Sequence, residues 1–146
     1  MYGKNVKTPT RATKYSAGYD FYAPCDIVLK PGQWVTVDSG VALDGTEKFS
    51  IGNGGRGGKM NVPRWFMLLA PRSGLGTKYG IRFANTVGIV DQDYRDNIKF
   101  TMTSSVPYTI QKGDRFAQGI FVPCLILDSE DEPENEREGG YGSTGE

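Results

Sequence analysis

Asp91 ends an apolar run, Gly88-Ile89-Val90, and opens a polar turn, Asp91-Gln92-Asp93-Tyr94-Arg95-Asp96. A carboxylate there can hold a water, and the flat ring of Tyr94 can lie against a sugar. Taken alone, such a segment is more often a solvated hairpin turn. Pro71-Arg72-Ser73-Gly74 follows an apolar run and precedes a possible helical turn. Arg72 offers a planar fork for phosphate oxygens, Ser73 a hydroxyl, and a helix start free backbone N–H groups. In isolation it, too, reads first as a plain turn. Asp20, within Ala17-Gly18-Tyr19-Asp20-Phe21, shares the ambiguity. So does Gln118, a neutral phosphate donor or a strand residue facing water. The C-terminal stretch Gly139-Gly140-Tyr141-Gly142-Ser143-Thr144-Gly145 could cradle an anion through successive N–H groups, where a disordered tail is the default.

What is missing narrows the chemistry. The 146 residues include no histidine, which removes Ser-His-Asp and Cys-His nucleophile activation and His-ligated zinc. For an enzyme of this composition the expected base is an Asp or Glu and the expected cation ligands are oxygens, which suits a hard ion such as Mg²⁺. The two cysteines, Cys25 and Cys124, form no disulfide pattern and read as reduced small hydrophobes. Gly52 to Lys59 looks like a phosphate loop but fails its spacing. Asn53 stands where the first Gly belongs, and Met60 where Ser or Thr must follow the Lys. It reads as a flexible surface loop.

The net charge of zero hides an asymmetry. Met1 to Leu127 holds 16 Lys and Arg against 9 Asp and Glu, whereas Asp128 to Glu146 holds 8 acids and one Arg. A basic body suits an anionic ligand as well as an ordinary solvated surface. The basic residues form no run, so nucleic acid is not favoured as a partner. No apolar run is long enough to span a membrane, and the N-terminal stretch lacks a secretory apolar segment, so the expected location is intracellular, the cytoplasm.

These groups need a frame, and the pattern predicts strands. Cys25 to Lys30 and Gln33 to Leu43 are separated by the turn signal Pro31-Gly32; Trp65 to Ala70 is a short buried run. Thr86 to Val90 and Asn97 to Thr103 flank the Asp91 to Asp96 turn as a hairpin. In the second of these, Ile98, Phe100 and Met102 alternate with Lys99, Thr101 and Thr103, the period of a half-buried strand. Arg115 to Leu127 is β-rich, with Pro123 marking an edge or bulge. Helix is confined to a turn or two near Ser73 to Tyr79. Short strands with Gly and Pro turns indicate an all-β sandwich, barrel or jelly roll. The expected organisation is a β domain over 1–127, an acidic linker over 128–138 and a Gly-rich arm over 139–146.

Together, and in this order, the segments resemble the five motifs of the trimeric dUTPase family. Ala17-Gly18-Tyr19-Asp20 is similar to motif one, and Ala70-Pro71-Arg72-Ser73-Gly74-Leu75 to motif two. Asn85 to Ile98 is similar to motif three, Gly113 to Gln118 to motif four, and Gly139 to Gly145 to motif five. The resemblance implies a jelly-roll-like (β-clip) subunit, a homotrimer with shared sites, and a mobile C-terminal arm. It implies dUTP diphosphatase activity, giving dUMP and pyrophosphate with Mg²⁺. That reaction limits uracil incorporation into DNA and supplies dUMP for dTMP synthesis.

By matching position, Asp91 holds the attacking water. Arg72, Ser73, Gly74, Gln118, Arg137, Ser143 and Thr144 meet phosphates. Asn85, Gly88, Ile89, Tyr94, Lys99 and Tyr141 meet uracil and deoxyribose. Asp20 acts on the metal indirectly, through water. The linker Asp128 to Glu138, reaching roughly 35 Å if extended, would carry the arm to a neighbour's site. Three positions depart from the family pattern. Asp96 replaces a Gly, in an altered turn or as a left-handed Asp. Tyr141 replaces a Phe, and Arg137 falls one residue late, with Glu136 in the usual Arg position. Gly52 to Lys59 is an insertion with no assigned role.

The nearest rival is the related dCTP deaminase branch, whose catalytic Glu would fall at Thr101; no Glu lies between Glu47 and Glu130. A nucleotide-responsive regulator with a protein partner is a second alternative, and a capsid-like structural jelly roll a third.

Overall fold

In the computed structural model, which describes residues 6–51, 60–62, 64–131, 133 and 137, strands dominate. In chain order they are β1 (Tyr19–Tyr22), β2 (Ile27–Leu29), β3 (Val35–Asp38), β4 (Phe49–Ile51), β5 (Met60–Val62) and β6 (Trp65–Pro71). After the helix α1 (Ser73–Tyr79) come β7 (Arg82–Phe83), β8 (Gly88–Asp91), β9 (Lys99–Thr103), β10 (Tyr108–Ile110) and β11 (Arg115–Pro123). No helix among the described residues is long and apolar enough to cross a membrane.

The largest sheet runs β1-β11-β6-β8 and a second runs β3-β9-β7, with two-stranded ribbons β10-β2 and β4-β5. Every pairing is antiparallel. Alternation decides which face is inside: Trp65, Met67 and Leu69 of β6 are buried, while Phe66, Leu68 and Ala70 are half-buried on the outer face. The core joins the two main sheets through Phe21, Phe100 and Phe116. Phe100 meets Phe21 edge-on at 5.1 Å and Phe116 at 5.0 Å between ring centroids. Burial of rings of this size dominates the stability of a chain this short.

α1 has the predicted extent. Pro71 ends β6, Arg72 is the N-cap in extended conformation, and Gly80 closes the helix at φ 62 in the left-handed region. Several other expectations need correction. β8 and β9 are not a hairpin: β8 pairs with β6 and β9 with β3 and β7, so the turn between them crosses from one sheet to the other. Strands adjacent in sequence usually pair, but here the long-range partners β6 and β3 decide which sheet each joins. Thr103, expected on the wet face, is 1% exposed, and its hydroxyl donates to the Lys30 carbonyl at 3.4 Å.

β11 stops at Pro123 rather than Leu127. Proline has no N–H for the ladder, and Leu125 and Leu127 beyond it are exposed. Cys25 and Cys124 are free, as expected, but exposed rather than packed as hydrophobes. Thr86, at φ 64, is the positive-φ non-glycine residue among the described ones, so Asp96 is not left-handed. The Gly52 to Lys59 insertion, and Tyr141, Ser143 and Thr144 of the arm, lie outside the described residues.

Candidate active site

Residues opposite one another in adjacent strands share a face of the sheet. Asp20 of β1 lies opposite Gln118 of β11, and Gln118 lies opposite Ala70 of β6. Motifs one, two and four therefore meet at one end of the outer face. Gly18 makes the space for this, since a Cβ there would lie 2.7 Å from Oε1 of Gln118. Nε2 of Gln118 donates to the Pro71 carbonyl at 3.4 Å, tying β11 to the residue just before Arg72.

Asp20 is 7% exposed, which an unpaired carboxylate could not sustain. It is paired twice. Nε of Arg72 approaches Oδ1 at 3.2 Å, and Nη1 of Arg115 approaches Oδ2 at 3.2 Å. Two guanidinium groups against one carboxylate leave a surplus positive charge. Both arginines keep a third or more of their side chains exposed (33% and 41%), so the surplus faces solvent. Ser73 and Gly74 stand exposed beside them at the start of α1. Such an end has the chemistry to grip an anion. Arg115 was not predicted as a site residue. Its position in motif four, opening the strand that holds Gln118, was the available signal.

Asp91 stands at the other end of the same face. It pairs with Phe66, four residues along β6 from Ala70. At about 3.3 Å per residue and 4.8 Å between strands, Asp91 and Gln118 are roughly 16 Å apart in one chain. Asp91 is half exposed and carries Arg137, whose Nη2 contacts Oδ2 of Asp91 and whose Nε donates to Oδ1 of Asp93 at 2.9 Å. The same guanidinium lies 5.7 Å from the Tyr94 ring. Tyr94 is buried at the core's edge, and its hydroxyl donates to the Asn97 carbonyl at 3.1 Å. Arg137 thus lies with Asp91, Asp93 and Tyr94, and not with Arg72, Ser73 and Gln118 of its own chain.

The residues expected to read the base are split between sheets. Asn85 is exposed in the turn before β8, Gly88 is buried opposite Leu69, and Ile89 is 63% exposed. Lys99 lies in the second sheet, opposite Asp38. Between the cationic end and Asp91 lies an apolar band: Leu68, Ile120, Phe66 and Val122 are half-buried, with Ile89 beside them.

A family model described as dUTPase matches residues 60–145. The deoxyuridine 5'-triphosphate nucleotidohydrolase of Neisseria meningitidis serogroup A is 36% identical over 145 residues, covering 94% of this chain and 87% of that protein. The chain belongs to the dUTPase family. The dUTPase structure from Streptococcus mutans is similar at a TM-score of 0.64 and 26% identity, covering 87% of this chain and 93% of that one. A mutant dUTPase from Staphylococcus aureus phage phi11, described with a structural Mg(II) ion, has the same fold at a TM-score of 0.66 and 22% identity, covering 90% of this chain and 93% of that one. The all-β, jelly-roll-like dUTPase fold expected from the motifs is the fold observed.

Proposed function

We propose that the chain hydrolyses dUTP to dUMP and pyrophosphate in a homotrimer, each site built from more than one chain. The observation that carries this is the separation on one sheet face: the anion-gripping end and the exposed carboxylate lie further apart than a triphosphate is long, with an apolar band between them. A second copy seated on that band would bury Leu68, Ile120 and Ile89 and bring its own Asp91 towards Arg72, Ser73 and Gln118. Burial of apolar area drives such association, and closed symmetric assembly leaves no band exposed.

In the assembled site Asp91 accepts a hydrogen bond from a water and aims its oxygen at the α-phosphorus. The new bond is water oxygen to α-phosphorus; the bond broken joins that phosphorus to the oxygen bridging it to the β-phosphorus, which leaves with pyrophosphate, while the proton lost by the water passes to the Asp91 carboxylate and on to solvent. An Asp carboxylate is a weak base, so orientation and charge placement are its main contribution. Arg72, Arg115, Ser73, Gly74 and Gln118 hold the phosphate chain and stabilise the charge that shifts along it. Arg137 leaves Asp91 and Asp93 for phosphate oxygens, freeing the carboxylate for the water. Asn85, Gly88, Ile89 and Lys99 border the base. Tyr94, uncovered as Arg137 departs, packs its ring against the deoxyribose. Tyr141, Ser143 and Thr144 belong to the arm that closes over the nucleotide.

Both oxygens of Asp20 are already paired with guanidinium groups, and among the described residues no three Asp, Glu, Cys or His side chains form a cation cage. These residues fit a Mg²⁺ ion carried by the triphosphate oxygens, as this ion commonly is, with Asp20 accepting only from a metal-bound water. The ion would neutralise phosphate charge and fix the chain's conformation.

The deaminase alternative needs a carboxylate where Thr101 stands. Oγ1 of Thr101 instead lies 2.8 Å from Oγ1 of Thr36. A panel of nucleoside triphosphates with Mg²⁺, scored for pyrophosphate and for ammonia, tests the assignment. Pyrophosphate from dUTP is the expected result. Ammonia from dCTP, or no turnover of dUTP, contradicts it.

A further inference from the structure

The turn carrying Asp91 is gripped from outside by a loop that the reaction itself does not use. This loop, residues 39–48 between β3 and β4, is shaped locally: Oδ1 of Asp44 accepts from the Thr46 N–H at 2.8 Å and from its hydroxyl at 2.6 Å. It is fixed to β6 where Nε1 of Trp65 donates to the Glu47 carbonyl at 3.2 Å. Its tip then meets the catalytic turn twice. Nε2 of Gln92 donates to the Gly45 carbonyl at 3.4 Å, and the Arg95 guanidinium occupies the space that a side chain at Gly45 would take. Gly45 has φ +78, and a Cβ there would lie 2.6 Å from the Arg95 guanidinium carbon. Only glycine allows both the backbone conformation and the approach.

Arg95 in turn binds the turn to itself. Its Nη1 donates to the Gln92 carbonyl at 2.5 Å and to the Tyr94 carbonyl at 3.4 Å, while the Tyr94 N–H donates to the Asp91 carbonyl at 3.1 Å. The guanidinium therefore joins the loop tip to the backbone of the very residues that follow Asp91. We propose that the Gly45–Arg95 contact is a clamp that positions the Asp91 carboxylate, making Arg95 and Gly45 positioning residues for the attacking water. The inference rests on the assignment of Asp91 to that water, and its mechanical part stands independently of it. An in-line attack depends steeply on the placement of the group that aims the nucleophile.

Three variants of the full chain test this: Gly45→Ala, Arg95→Ala and the double variant. With dUTP, Gly45→Ala is expected to lower kcat by about 10- to 100-fold while KM changes by much less, because Arg72, Arg115, Ser73 and Gln118, which hold the phosphates, lie at the other end of the sheet face. The double variant is expected to be slower than Arg95→Ala by less than the factor Gly45→Ala costs alone, since the backbone strain at φ +78 remains but the added methyl no longer meets a guanidinium. Amide exchange at Tyr94 is expected to accelerate in both single variants. That readout follows the turn whether or not dUTP is turned over, so it separates a failed clamp from a failed assignment of the reaction. Unchanged Tyr94 exchange in Gly45→Ala overturns the clamp. So do losses that multiply in full in the double variant, or a KM that rises as much as kcat falls.

Discussion

The two ends of the outer sheet face are built on opposite plans. At one end Asp20 is buried and held by Arg72 and Arg115, each at 3.2 Å. Its geometry is set by strand pairing across β1, β11 and β6 before any ligand arrives. At the other end Asp91 is half exposed on an edge strand, and its turn is held by side chains reaching backbone carbonyls. The first arrangement resists change and suits grip; the second can exchange partners and suits a group that must meet water and a neighbour. On the proposed reading, a pre-organised binding end and an adjustable reacting end divide the work of holding a triphosphate from that of breaking it.

Variants at each position can break that comparison or sharpen it. Asp91→Asn is expected to reduce kcat by about 1,000-fold with KM for dUTP little changed, as loss of a group acting at the reacting centre does. Near-normal turnover in steady-state assays would remove Asp91 from its role. Next comes Ile89→Asp, which puts a charge on the apolar band at a site 63% exposed in the single chain. The fold should tolerate it while assembly and most activity are lost. Sedimentation showing an intact, active trimer would mean that the band is not the interface.

At the binding end, Asp20→Asn leaves two guanidinium groups without their shared counter-charge. Stability should fall by about 2 kcal/mol, less than for a fully buried pair because both arginines are partly wet. KM should rise more than kcat falls, the reverse of Asp91→Asn. A purely kcat effect would show that the two ends are not distinct in function. The smallest effect belongs to Thr36→Val, which removes one hydroxyl pair between β3 and β9, in the sheet that holds neither Asp20 nor Asp91. It should cost about 1 kcal/mol in denaturant unfolding and leave kinetics unchanged.

Much of this frame was legible in the residues. The apolar run at Trp65 to Ala70 reads correctly as a strand, because its length and its bounding turns are local facts. The helix over Ser73 to Tyr79 reads correctly for a similar reason: Pro71 and Gly80 punctuate it. What failed was long-range. Nothing in Asp91 to Asp96 shows that β8 and β9 lie in different sheets, because that is decided by partners β6 and β3. Burial of Thr103 depends on the Lys30 carbonyl, far away in sequence. The motif residues were visible as types in order, yet the double pairing of Asp20 joins residues 52 and 95 positions away, and Arg115 escaped notice. Gly45 and Arg95 were missed because neither is unusual until the loop folds onto the turn.

Complementation between chains tests the shared site most directly. Asp91→Asn and Arg72→Ala subunits, each nearly inactive as a pure assembly, are mixed under conditions that allow exchange and assayed for pyrophosphate release from dUTP. If one chain supplies Asp91 and another Arg72, mixed trimers regain intact sites, about a quarter of the total in an equal random mixture. Activity that stays at the level of the two pure variants, with exchange verified, would place both residues of each site in a single chain and contradict the account.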